Sequence, residues 1–582
     1  MSNNVKQIAA LLEEMGTLLE LQGANPFKSR AFHAAARTLE GVTDDLAERA
    51  RKGTLRQIKG IGEGLEKVIS DLALTGRSKE YDELKKGVPE GVLEMTRLQG
   101  LGPKRVRIIW KDLKVASLEA LAKACKEHRV ARLEGFGEKM EENILRSIES
   151  RRQFSSRWLY PVAEEAAGAI VSTLTAINGV ERCEAAGSLR RRKETIGDID
   201  LLVAAPAKVA ASVRRAFATH PLVTRVVNDG ETKCTVQLRP GMSCDLRIVT
   251  STEFPFALNY FTGSKEHNVE MRARARKIGL SLNEYGFTRL PQGPRRLPSV
   301  KDEADIYRAL GMAYIPPELR EGQIEFDLAE RRAIPDLITL EDLRGTLHCH
   351  TTYSDGRNSL AEMAEAARKL GWAYWGVADH SGAAAYAGGL SPERLKQQHA
   401  EVDALNASMK GFRIFKGTEC DILPDGSLDY PSKILASFDY VVASIHSKFN
   451  MTESEATKRL VKAITSRYTT ILGHPTGRLL LGREGYPVNM REVLKAAADH
   501  GKAIEINSHP MRLDLDWRWL TLAKELGVRI FVNPDAHTVA ELTHVRYGVG
   551  IARKGGLEAA DVVNTWTLAR VEKYFREIRS TG

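Results

Sequence analysis

The chain has 582 residues, so roughly three to five domains of about 100–200 residues each are expected. Hydrophobic content of 43% and charged content of 27% are ordinary globular values and exclude a disordered chain. The formal net charge is +10, and the excess is uneven: residues 1–340 carry 54 Lys+Arg against 46 Asp+Glu, whereas residues 341–582 carry 31 against 29. A polyanionic partner is therefore expected on the first part. The six cysteines (Cys125, Cys183, Cys234, Cys244, Cys349, Cys420) are scattered and form no CxxC pair. That excludes a zinc ribbon or disulfide framework and suits a reducing cytoplasm. Lys6, Glu13 and Glu14 interrupt the first apolar residues, so no signal peptide is expected. No uncharged apolar run approaches about 18 residues, and no membrane span is expected either.

Residues 1–155 read as helical, with apolar residues at helical spacing in VKQIAALLEEMGTLLELQG. An internal repeat runs through this region. IKGIGEGLEKVI holds Gly60 and Gly62, LQGLGPKRVRII holds Gly100 and Gly102, and LEGFGEKMEENIL holds Gly135 and Gly137. Each copy is an apolar residue, a Gly-x-Gly and the start of an amphipathic helix. A helix start after a glycine turn presents unpaired N–H groups that a phosphate can approach. One such element often only turns a chain; three copies favour DNA binding. Lys104, Arg105 and Lys139 add positive charge beside the second and third. The elements resemble helix-hairpin-helix motifs, which grip the DNA backbone without reading sequence.

From about Trp158 short β-like segments follow. In GSLRRRKETIGDID, Asp198 and Asp200 are two apart on a strand and point to one face. Asp245 in SCDLRIV lies on another predicted strand. Two close carboxylates repel unless a cation sits between them. Three could hold two Mg²⁺ ions, one activating a 3′-hydroxyl and both stabilising charge at phosphorus. An exposed Asp-x-Asp alone would favour a structural reading. The Gly187–Ser188 turn ahead of Arg190 and Arg191 shifts the balance, because a small turn with guanidinium groups suits a triphosphate.

This arrangement resembles the nucleotidyltransferase palm of family X DNA polymerases, over about residues 1–320. The resemblance implies that Asp198, Asp200 and Asp245 bind the catalytic metals and that Gly187, Ser188 and Arg191 meet the nucleotide phosphates. ALNYFTGSKEHNVEMR is similar to the family's nucleotide-binding segment. It implies that Tyr260, Phe261 and Gly263 border the sugar, that Asn268 touches the base edge and that Arg272 lies near the templating base. Lys265 stands where DNA polymerase beta has an acidic residue and would add charge toward the nucleotide. One departure is plain: Val68 occupies the place of the family's Schiff-base lysine, and Lys67 would point elsewhere, so lyase activity is not expected.

From Arg344 strand-like runs alternate with helices, and seven such strands suggest a barrel of parallel strands. Ten of the fourteen histidines fall here. His348, His350, Asp355, His380, Glu419, His446, His474, Asp535 and His537 lie at or just beyond the ends of six strands. One histidine at a strand end is usually structural; this recurrence is not chance. Nine ligands imply two or three ions, with Glu419 bridging. The pattern resembles the polymerase and histidinol phosphatase (PHP) domain, over roughly residues 341–575, and the resemblance implies Mn²⁺ or Zn²⁺ and phosphoester hydrolysis. His509 and Arg512 lie near the mouth, and Arg512 would bind substrate phosphate or make a salt bridge.

The expected architecture is multidomain. It comprises a helical DNA-binding domain (1–80), a helical fingers-like domain (81–155), an α+β palm (156–255), a thumb (256–320), a linker (321–340) and a (β/α)7 PHP barrel (341–575). The expected protein is a bacterial family X DNA polymerase that fills short gaps with deoxynucleoside triphosphates on gapped or nicked DNA. Its barrel would trim 3′ ends and, by weaker carry-over, cleave at abasic sites. It is expected as a cytoplasmic, nucleoid-associated monomer with no membrane partner. Three alternatives remain: a template-independent nucleotidyltransferase with a phosphatase domain, a non-catalytic DNA-end scaffold, and a small-molecule phosphoesterase.

Overall fold

The computed structural model describes residues 2–580 except 41–45, 59, 97, 99–100, 155 and 240. The chain divides into two compact units, Met1–Ser155 and Ser156–Gly582.

The described part of the first unit is helical throughout. Its opening helix, Ser2–Gln22, buries Ile8, Leu12, Met15 and Leu19, which recur every three or four residues, against Phe32, Ala35 and Leu39. Leu18 and Leu21 of the same helix enter a second core built around Val92, Val106, Ile109 and Ile144. One helix therefore serves two clusters. Val68 is 2% exposed in the first of them, while Lys67 faces solvent.

After the helix Tyr160–Thr175, the second unit builds a five-stranded mixed sheet. Its strands are β1 (Arg182–Ala185), β2 (Asp198–Ala204), β3 (Val223–Asp229), β4 (Lys233–Leu238) and β5 (Ser243–Val249), in spatial order β1-β2-β5-β4-β3. Strands β2 and β5 are parallel neighbours; the other pairs are antiparallel. In β5, Cys244, Leu246 and Ile248 alternate inward, which turns Asp245 to the opposite face. The helices Phe254–Thr262 and Lys265–Lys277 and a hairpin, Leu280–Asn283 with Gly286–Arg289, follow.

The segment 321–340, expected as a linker, carries a packed helix. The helix Glu325–Glu330 packs Phe326 and Ala329 into the core that holds Ile306 and Tyr307. Just ahead of it, Arg320 is fully buried and paired with Glu303 at 2.7 Å. Prolines at the segment's ends signal turns, not solvent exposure.

Seven parallel strands then run in sequential order: β6 (Gly345–Cys349), β7 (Tyr374–Val377), β8 (Arg413–Asp421), β9 (Tyr440–Ser444), β10 (Ile471–Leu472), β11 (Ala503–Asn507) and β12 (Arg529–Asn533). Side chains and the segment after β12 bring the two ends together: Leu347 N donates to Asn533 Oδ1 at 3.2 Å, and His350 N donates to the Ala536 carbonyl at 2.8 Å. The result is a nearly closed (β/α)7 barrel. Nearly every strand residue is buried, as parallel strands covered on both sides require. Barrel and palm share one apolar core, in which Tyr160 meets Tyr547 edge to face at 6.0 Å.

Glu303 accepts from Arg190 at 2.5 Å and from Arg320 at 2.7 Å. Burial raises its carboxyl, but the two guanidiniums outweigh that and hold it at about 2. Replacing Glu303 by Ala leaves two largely buried cations unpaired and should cost about 3–5 kcal/mol in urea unfolding. A loss below about 1 kcal/mol would show that the pairing contributes little.

Candidate metal centres

The register of the palm sheet sets Asp200 directly opposite Asp245, with Asp198 two residues back on the same face. Burial is the largest influence on Asp200, followed by Asp198 and Asp245, and together they push its carboxyl up to about 7. Such a group is relieved by a cation, so a divalent ion fits these residues. Thr235 donates to Asp245 at 2.7 Å, and Lys233 pairs with it at 2.7 Å. The sequence reading missed both. Their signal is the alternation in KCTVQL, which turns Lys233 and Thr235 to the face of Asp245.

Gly187 has φ +60°, and a Cβ there would lie 2.2 Å from Asp200 Oδ2. Only glycine lets this turn pass so close to the carboxylate. A cavity of about 370 Å³ opens beside it, lined by Gly187, Ser188, Arg191, Asp198, Asp200, Tyr260, Phe261, Gly263, Lys265, Asn268 and Arg272, with Ser264 added. The structure thus brings the expected nucleotide residues to one place beside two of the three aspartates. Tyr260 and Phe261 meet edge to face at 5.1 Å, and Asn268 donates to the Tyr260 carbonyl at 2.7 Å. Ser264 caps the helix Lys265–Lys277 by accepting from His267 N. Gly263, at φ +71°, leaves room for the Arg191 guanidinium, 3.1 Å from where a Cβ would sit. Arg190 differs from Arg191: it turns away to Thr262 and Glu303.

All nine expected barrel ligands converge at the C-terminal mouth. Four groups of three or four of them bring ligand atoms within 4.8 Å of one another, and each of the nine belongs to at least one group. Glu419 is central. Its Oε1 lies 2.8 Å from His474, 3.1 Å from His446 and 3.2 Å from His348, and its Oε2 lies 3.1 Å from His380. Asp535 approaches His350 at 3.1 Å, and Asp355 approaches His537 at 3.4 Å. Three ligands, His348, His474 and Asp535, hold left-handed backbone at φ +53°, +23° and +51°. Such strain costs about 1–3 kcal/mol per residue and concentrates where function requires it.

Two further carboxylates orient the ligands. His348 Nδ1 donates to Glu505 at 2.6 Å, and His446 Nδ1 donates to Asp421 at 2.5 Å. His537 Nδ1 donates to the Asp535 carbonyl at 2.9 Å. With Nδ1 held in this way, each ring turns Nε2 toward the cluster. Glu505 sits on β11, the one strand that offered no ligand in the sequence reading. Asp421 follows Glu419 by two and shares its face. His350 is pushed down to about 3 by burial, His537 and His380, and its buried Nδ1 has no hydrogen-bond partner. An orphaned imidazole nitrogen beside carboxylates fits a divalent cation. Arg512 lies at this mouth with Nε 3.4 Å from Asp535 Oδ2, an ion pair in this structure.

In the first unit, Gly62 and Gly102 cap the helices Glu63–Thr75 and Pro103–Leu113, and Gly137 precedes the helix Glu138–Phe154. Gly60 and Gly135 have φ of +89° and +79°, which only glycine adopts freely. A Cβ on any of these five glycines would meet open space, and Lys104, Arg105 and Lys139 are exposed. Gly100 lies outside the described residues.

Asp200 must release its proton to hold a cation. Calorimetric Mg²⁺ affinity at the three aspartates, taken as the difference from Asp200→Asn, should fall about tenfold per pH unit below about 7. A flat affinity across that range would contradict the assignment. At the barrel, Glu505→Gln should weaken Mn²⁺ binding by about 10–100-fold in chelator competition. Unchanged affinity would remove Glu505 from the centre.

Comparison with known proteins follows the same division. Residues 3–78 match a helix-hairpin-helix domain, 92–150 a SAM-like helix-hairpin-helix tandem, 257–321 the DNA polymerase beta thumb and 346–509 the PHP domain. A probable phosphatase of Thermoanaerobacter sp. (strain X514) is 30% identical over 40% of this chain and 93% of its own length. DNA polymerase lambda of Rattus norvegicus is 27% identical over 45% of this chain and 48% of its own. The DNA polymerase/3′-5′ exonuclease PolX of Bacillus subtilis (strain 168) is 39% identical over 98% of this chain and 99% of its own length. A likeness that spans both metal centres and the helical unit at that level shows that the chain belongs to the PolX family of DNA polymerase/3′-5′ exonucleases.

Proposed function

We propose that this protein fills short gaps in DNA during repair and trims 3′ ends at a second, chemically separate centre. The observation that carries this reading is the pair of ligand sets: three palm aspartates and nine barrel ligands, with no residue in common. Asp198, Asp200 and Asp245 would hold two Mg²⁺, and the barrel ligands two or three Mn²⁺ or Zn²⁺. Bound there, these cations would activate an attacking oxygen and neutralise charge at phosphorus.

The chain's own residues do the positioning. Ser188 and Arg191 receive the nucleotide phosphates, with the Gly187 turn drawn against Asp200 so that phosphate and carboxylates meet. Tyr260, Phe261 and Gly263 wall the sugar, Asn268 is held toward the base by the Tyr260 carbonyl, exposed Arg272 lies toward the templating base, and exposed Lys265 adds charge toward the nucleotide. At the barrel, Glu505 and Asp421 keep imidazole Nε2 atoms turned to the cations. Arg512, released from Asp535, would take the scissile phosphate. The open glycines of the helical unit, Gly60, Gly62, Gly102, Gly135 and Gly137, with Lys104, Arg105 and Lys139, would grip gapped or nicked DNA through its backbone. The buried Val68 supports a protein without lyase chemistry at that position. In this reading the protein is a monomer acting on nucleoid DNA in the cytoplasm, and its likeness to a bacterial DNA polymerase supports DNA as the substrate. Among the described residues, no helix is long and apolar enough to cross a membrane.

A second reading has its own support: the barrel covers nearly the whole length of a probable phosphatase. Phosphomonoester hydrolysis without release of nucleotides from a DNA 3′ end would favour it. Cleavage at abasic sites is a further activity to assay at the same centre.

The separation of the two centres is directly testable. The double variant Asp198→Ala/Asp200→Ala should lose nucleotide addition on gapped DNA by about 10³-fold or more while keeping 3′-5′ degradation. His350→Ala should do the reverse. Loss of both activities in either folded variant would contradict two independent sites.

A further inference from the structure

Lys554 ends the helix Val545–Lys554 of the barrel half, and its side chain is fully buried. An ammonium has three donors, and all three are used. Lys554 Nζ donates to the Arg191 carbonyl at 3.0 Å, to the Glu318 carbonyl at 3.3 Å and to the Glu321 carboxylate. Its charge also lies over the Trp517 ring, 4.7 Å from the centroid. Glu321 in turn accepts from Arg191 Nε at 3.1 Å and pairs with Lys193 at 3.0 Å through its other oxygen. Arg191 Nη1 is fixed on the Thr262 carbonyl. Lys554 therefore grips Arg191 twice, once through its backbone and once through the carboxylate that orients its guanidinium.

We propose that Lys554, a residue of the nuclease half, is a positioning residue for the polymerase half: through Glu321 it sets Arg191 for the triphosphate of the incoming nucleotide. This rests on the reading of Arg191 as a phosphate ligand. The geometry favours it over a plain structural ion pair, because the bridging carboxylate has three cations around it and one of them lines the nucleotide cavity. Burial raises the Glu321 carboxyl, but Lys554, Arg191 and Lys193 outweigh it and hold it at about 2, while burial draws the Lys554 ammonium down to about 8, so both partners are charged between those values. Nucleotide affinity thereby depends on the barrel being seated on the palm, which couples the two halves without a shared ligand.

The test is steady-state kinetics on gapped DNA with the full-length protein. Lys554→Met should raise KM for the deoxynucleoside triphosphate about tenfold, with kcat within about threefold and 3′-5′ degradation unchanged. Glu321→Gln, which keeps the volume, carries the same expectation and decides the matter if Lys554→Met does not fold. Arg191→Ala separates the two layers of the argument. If Arg191→Ala raises KM and neither Lys554→Met nor Glu321→Gln does, the coupling is wrong and the phosphate reading stands. If Arg191→Ala itself leaves KM unchanged, the phosphate reading fails and the coupling with it. Adding Lys554→Met to Arg191→Ala should raise KM no further; additive effects would mean that Lys554 acts by another route.

Discussion

Carboxylates held close repel, and this fold gathers them twice. In the palm the register of β2 against β5 leaves Asp200 no choice but to face Asp245, with Asp198 beside it. That register is set by the buried alternates Ile199, Leu201, Cys244 and Leu246, because a shift of one residue would turn every carboxylate into the core. At the barrel mouth, Glu419 and Asp535 lie among imidazoles at nearly complete burial. The apolar core supplies the energy that holds like charges close, and bound cations would relieve the conflict. Residues that seem unrelated to chemistry, such as the alternating valines and leucines, thus determine where the chemistry occurs.

The two centres relieve the same constraint differently. In the palm, Thr235 and Lys233 hold Asp245, while Asp200 keeps a raised pKa and waits for a cation. The barrel instead uses a deep set of second carboxylates, Glu505 and Asp421, that hold His348 and His446 by Nδ1. Backbone strain at His348, His474 and Asp535 is tolerated because the surrounding strands over-determine those positions. Charged pairs stitch the barrel to the polymerase half: Arg546 with Glu164 at 3.0 Å, Arg553 with Glu318 at 2.7 Å, and the buried Lys554 with Glu321.

The candidate metal residues were legible in the sequence because strand ends and a period of two place side chains without long-range information. The nine barrel residues could be picked out from local spacing, whereas Asp198 and Asp200 stood out only beside the Gly187–Ser188 turn and its arginines. What was hidden depends on register or on contacts across the fold. Thr235 becomes a partner of Asp245 only once β4 is known to lie against β5. Glu505 reads as one more acid in a buried strand until the barrel curls it beneath His348. The segment 321–340 looked like a linker because its prolines and charges are visible and its burial is not. Glu321 and Arg320 are charged residues held inside by partners more than ten positions away, Lys554 and Glu303, which no local pattern reveals.

Anomalous scattering from crystals grown with Mn²⁺ tests the central claim most directly. The account predicts two separate groups of peaks, one among Asp198, Asp200 and Asp245 and another of two or three ions among the nine barrel ligands around Glu419. Peaks confined to one group, or ions held by other residues, would contradict it.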